Sequence, residues 1–244
     1  MKYLWRLGLL LVALGVGMVG SRGDASAQIT FPGQSYVVVD AIRPGGTCAS
    51  PNPDNGANNL HGWKVPAGGL TYKFVAKVPN GLDLNAVESA IQAAAASWDS
   101  KTGATLLIYG GRTSKDNPGV WNGQSSIGFG NVPGGAIAVA FVRVKNGEVV
   151  EADVVLGNGF KWSTNNGLSE DPASAADDCT GADGKMDVND ITTHEIGHVI
   201  GVAHTSDDSV NNAQTMFPFG SYRELFKRSP AGGDTTALTA IYGP

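Results

Sequence analysis

The chain is short of charge: Asp, Glu, Lys and Arg make up 16% of its 244 residues, against roughly 25% in a typical globular chain. Acidic groups outnumber basic ones, 22 to 17, for a net charge of −5, which argues against a broad phosphate-binding surface and hence against nucleic acid as a partner. Two cysteines are too few for a disulfide-framework mini-protein or a four-cysteine zinc ribbon. The longest apolar run, Leu7–Gly20, falls short of the roughly 20 residues that a helix needs to cross a bilayer. No repeat of fixed period and no heptad run appears. Glycine, by contrast, is abundant at 34 residues, about twice the usual share, as expected of long loops. With 42% hydrophobic residues, the chain suits one soluble globular domain or two small ones.

Lys2 and Arg6 precede the apolar run, and the small-residue site Ala25-Ser26-Ala27 follows it. Residues 1–27 therefore read as a secretory signal rather than a membrane anchor, with a mature chain beginning at Gln28. A secreted, monomeric protein without a membrane anchor is expected, in a compartment where a disulfide between Cys48 and Cys179 can persist.

Residues 28–69 are rich in Pro, Gly and Asn and read as a loop-rich lead-in or short pro-segment, with a short strand at Tyr36–Val39. Residues 70–244 read as the main domain. Alternation predicts a strand over 70–78, and Leu84, Val87, Ile91, Ala95 and Trp98 fall at helical spacing after the N-cap candidate Asp83. Apolar runs predict strands at 105–109, 126–129, 136–144 and 149–156. A second helix is expected from Val188 to about Ile200, capped by Asp187, and a third from about Asp234 to Ile241. Strands group first and helices later, the pattern of an α+β domain.

Three of the four histidines lie in His194-Glu195-Ile196-Gly197-His198-Val199-Ile200-Gly201-Val202-Ala203-His204. Residues four apart share a helix face, so His194 and His198 can aim at one ion. Gly201 can end the helix in a left-handed conformation and bring His204 round as third ligand. Three neutral imidazoles leave one tetrahedral position open, the mark of a catalytic rather than a structural zinc. Glu195, rotated from the ligands but beside them, suits a general base that moves a water proton during amide hydrolysis. Chance would produce these offsets on the order of once in 10⁵ such chains, which sets coincidence aside.

The extended pattern matches the metzincin signature, and Met216 in Gln214-Thr215-Met216-Phe217-Pro218 matches the methionine turn that accompanies it. Within that group the chain resembles the matrixins over roughly residues 70–244. His204-Thr205-Ser206-Asp207 is similar to their His-Ser-x-Asp continuation, Met216-Phe217-Pro218 to their Met-Tyr-Pro, and residues 234–244 to the helix that closes their catalytic domain. Gly134–Phe141 is similar to their edge strand, along which substrate adds as an antiparallel strand. The resemblance implies a mixed, mostly parallel twisted sheet with about three helices and a Met-turn after the active-site helix. It also implies zinc on His194, His198 and His204, the catalytic carboxylate on Glu195, a supporting turn at Met216, a turn-fixing role for Asp207 and protein or peptide substrates.

Departures from the family pattern shape the remaining expectations. Val139 stands where animal matrixins carry a structural-zinc histidine, and the strand Glu151–Val155 offers none, so one zinc is expected. His61 stands alone and reads as a surface or core residue rather than a ligand. Calcium is a further candidate at Asp177, Asp178, Asp183 and Asp187, although no spacing there matches an EF-hand loop. Cys48 lacks the Pro-Arg-Cys-Gly context of the family's inhibitory segment, so pairing with Cys179 is favoured over a thiolate switch. A secreted zinc endopeptidase is the favoured function. The alternatives are a catalytically silent binding module on the same fold and a zinc hydrolase of a non-peptide amide.

Overall fold

The computed structural model describes residues 29–31, 35–48, 58–133, 135–164, 179–205 and 214–244. The expected signal segment, Gly134, Asp177, Asp178, Ser206 and Asp207 lie outside the described residues. In chain order the elements are β1 (Ile29–Phe31), β2 (Ser35–Thr47), β3 (Asn58–Leu60), β4 (Leu70–Val75), α1 (Leu84–Asp99), β5 (Leu107–Thr113), β6 (Ser125–Gly130), β7 (Ala136–Lys145), β8 (Glu148–Gly157), β9 (Trp162–Ser163), β10 (Met186–Asp187), α2 (Val188–Val199), β11 (Val202–Thr205), β12 (Phe219–Tyr222) and α3 (Gly232–Tyr242).

Asp83 starts α1 by accepting a bond from the Ala86 amide at 2.8 Å, which satisfies one of the amides left open at a helix start. Val87, Ile91, Ala94 and Trp98 form the buried stripe of that helix. The stripe packs against α2, and the Trp98 indole donates to the Thr193 carbonyl at 2.8 Å. A buried indole N–H needs such a partner, and this one sets the height of α1 on α2.

The main sheet has eight strands in the order β1-β2-β7-β8-β6-β4-β5, with β12 paired to β2. Four of its seven pairings are parallel: β12 with β2, and β4 with β5, β4 with β6 and β6 with β8; the other three are antiparallel. The sheet is therefore mixed with a parallel majority, and with α1, α2 and α3 it makes the α+β architecture expected of the chain. β7 and β8 join through Asn146 and Gly147, both at positive φ (55° and 79°), the pair that a two-residue hairpin turn favours.

Two features differ from expectation. The strand at Tyr36–Val39 extends over the whole of β2, and β2 runs antiparallel beside β7 from Ser35 opposite Arg143 to Ala41 opposite Ala136. The stretch compared with a matrixin edge strand is thus interior, since β8 pairs on its other side. The Pro44-Gly45-Gly46 sequence suggests turns, but these residues lie within β2, at a register shift between the positions paired to β12 at Ile42 and at Thr47.

Cys48, just past β2, is bonded to Cys179 across 131 residues of sequence. Closing a loop of that length stabilises by about 5 kcal/mol in the chain-entropy picture. None of the helices among the described residues is long and apolar enough to cross a membrane.

Candidate metal centre

Asp187 caps α2 by accepting from the Asp190 amide at 2.9 Å. Its two carboxylate oxygens also receive Arg228 Nε and Nη2, each at 2.8 Å, with both side chains buried. Bidentate geometry makes this a directional anchor for the start of the helix. Three residues after His198 the chain turns at Gly201 with φ at 99°. A β-carbon there would lie 2.1 Å from the Trp63 carbonyl oxygen, so both conformation and space require glycine.

That turn carries His204, on β11, back toward the helix. The Nε2 atoms of His194, His198 and His204 then lie 3.0 to 3.2 Å from one another. Among the described residues, this is the one set of three or more His, Cys, Asp or Glu side chains whose ligand atoms converge. His194 Nδ1 faces the Thr215 carbonyl and His198 Nδ1 lies 3.2 Å from the Val202 carbonyl. Carbonyls accept, so these Nδ1 atoms carry the protons and the matching Nε2 atoms present lone pairs to each other. Lone pairs facing at this distance repel unless a cation lies between them. Tetrahedral zinc with bonds of about 2.0–2.1 Å would hold its nitrogens about 3.3 Å apart, so the donor set fits the ion in type and in spacing.

Glu195 is fully buried on the same helix, between His194 and His198. On the far side of α2, Gly197 leaves room for Met216: a β-carbon at 197 would lie 2.2 Å from the methionine sulfur. Met216 sits in a tight turn in which the Phe217 amide donates to the Gln214 carbonyl at 3.2 Å, and its own carbonyl accepts from the Thr205 amide at 3.0 Å. The turn that faces His194 through Thr215 is thereby tied to the strand that carries His204.

Asp234, on α3, fastens this turn from below. Its carboxylate accepts from the amides of Thr215 (2.7 Å), Met216 (3.2 Å) and Ala231 (2.9 Å), and from the Asn58 side chain. Burial pushes this carboxyl above the ordinary carboxylate range, and the four N–H donors oppose the shift. After the turn, Lys227 Nζ donates to the Phe217 and Phe219 carbonyls at 2.9 and 2.6 Å and lies 3.3 Å from Glu224. Burial also raises Asp190, as does the neighbouring Glu224.

The lead-in approaches the centre as well. β3 pairs antiparallel with β11, Asn59 donates to the His204 carbonyl at 3.2 Å and the Trp63 indole to the His198 carbonyl at 3.1 Å. His61 Nε2 lies 3.1 Å from His198 Nδ1. The sequence reads His61 only as a surface or core residue and gives Asn59 and Trp63 no role, since a lone histidine, asparagine or tryptophan carries no pattern; the structure sets His61 against His198. Asp234 was legible only as a helix start. Of the acidic calcium candidates within the described residues, Asp183 pairs with Arg223 at 3.2 Å and Asp187 is held by Arg228; both are engaged by arginines.

A search of curated proteins finds no match to this chain. A family profile described as matrixin matches residues 62–243, well over half of the chain, including the three converging histidines, Glu195 and Met216. The chain therefore belongs to the matrixin family, a membership that implies a zinc-dependent metalloendopeptidase.

Proposed function

We propose that the chain is a secreted endopeptidase in which His194, His198 and His204 hold one zinc ion through Nε2, Glu195 is the general base and the Met216 turn supports the centre. The observation that carries this reading is the convergence of three imidazole nitrogens beside a buried glutamate. When bound, zinc supplies a Lewis acid that activates water near neutral pH and polarises the scissile carbonyl. Glu195 takes a proton from the water as its oxygen bonds to the carbonyl carbon, then delivers that proton to the amine nitrogen as the C–N bond breaks. Thr215 and Val202 carbonyls keep the protons of His194 and His198 on Nδ1, so that both Nε2 atoms face the ion.

The basic start, apolar run and Ala25-Ser26-Ala27 site support secretion, as does the disulfide. Digestion of denatured casein tests the function. Hydrolysis should stop with a chelator and return with zinc, and Glu195→Ala should lower it by about 10²–10⁴-fold while zinc stays bound. A wild-type rate in that variant overturns the assignment of the base. Zinc binding without hydrolysis of casein or peptides by the wild type would favour the silent binding module. The mass of the secreted form reports the N-terminus, with Gln28 expected.

A further inference from the structure

Building on the zinc reading above, we propose that His61 is a positioning residue for His198. Its ring stacks flat on Trp63, with centroids 4.3 Å apart and 1° between planes, and its own amide donates to the Gly201 carbonyl at 2.9 Å. Trp63 is buried and tied by its indole to the His198 carbonyl. The His61 ring is thus braced by the segment that closes over the Gly201 turn, and it meets His198 edge-on at 5.3 Å and 63°. With Nε2 of His198 facing the ion, the Nδ1 proton lies between two acceptors, the Val202 carbonyl at 3.2 Å and His61 Nε2 at 3.1 Å. A second acceptor on that N–H restrains rotation of the imidazole and makes its opposite nitrogen a better donor to the metal.

His61→Phe keeps an aromatic ring on Trp63 and removes the acceptor, whereas His61→Gln retains one. Zinc dissociation constants from chelator competition, together with the visible spectrum of the cobalt(II)-substituted protein, read the effect without activity. His61→Phe should weaken zinc binding by about 10- to 100-fold and alter the cobalt spectrum, with metal-free melting unchanged, and His61→Gln should recover most of the affinity. His61→Leu is a second acceptor-free variant, judged the same way should the Phe variant not fold. Wild-type zinc affinity in an acceptor-free variant overturns the proposal. A wild-type protein that binds no zinc would instead overturn the metal reading beneath it.

Discussion

Gly197 and Met216 are complementary: the methionine sulfur occupies the place where any other residue at 197 would put its β-carbon, 2.2 Å away. The glycine between the first two histidines lets the turn after β11 close against α2. Trp98 seals the same spot, 2.9 Å from that position, so the space has no slack on the α1 side.

Gly197→Ala should destabilise the fold by about 1–3 kcal/mol, the range for overpacking a close-packed interior. Displacing Met216 also moves the Thr215 carbonyl away from His194, so zinc affinity should fall. Urea unfolding and zinc titration of the variant check both effects.

Arg228→Ala leaves Asp187 buried without its ion-pair partner while that carboxylate still caps α2. Breaking one side of a buried pair costs about 3–5 kcal/mol. The drop in unfolding free energy should far exceed that of Arg112→Ala, whose pair with Glu88 lies at the surface, where solvent screens it.

Asp234→Ala removes the acceptor shared by the amides of Thr215, Met216 and Ala231. Each buried donor left unpaired costs about 1–3 kcal/mol. The variant should unfold at lower urea and bind zinc more weakly, while Asp234→Asn, which keeps one acceptor oxygen, should lie between it and the wild type. Equal zinc affinity in all three proteins would show that the turn holds its place without α3.

Asp153 on β8 is pushed up to about 7, chiefly by burial, with the nearby Asp116 adding to the shift and bonds from Ser126 and Gly119 opposing it. Unfolded, the same carboxyl titrates at about 3.9. Between those values the folded state holds more protons than the unfolded one, so the contribution of this group to stability is greatest at low pH and is lost as pH rises from about 4 through 7. The Asp153→Asn variant should show a flatter fall over that window in urea melts taken at several pH values. A steeper fall in the variant would contradict the sign.

Much of the frame was legible from local pattern. Helical spacing and cap residues located α1 and α2 to within a residue or two, with Asp83 and Asp187 at their starts. α3 begins two residues before the expected Asp234, which is a pinning acceptor as well as part of a helix start. The core runs of β7 and β8 stood out as continuous apolar segments, although Asn146-Gly147 between them is a hairpin signal that went unread. β2 is legible only in part, because glycine and proline in its second half hide a strand whose flanking positions, Ala41, Ile42 and Thr47, pair with the distant β12.

The histidine spacing, the glutamate between two of those histidines and the glycine at the turn were determined by the sequence alone, because they depend on the pitch of one helix and on one left-handed residue. Which groups orient those histidines was decided by the tertiary structure. Thr215, Asp234, Asn59, His61 and Trp63 come from segments far apart along the chain, and nothing in local periodicity records that packing the sheet against α2 will bring them to one place.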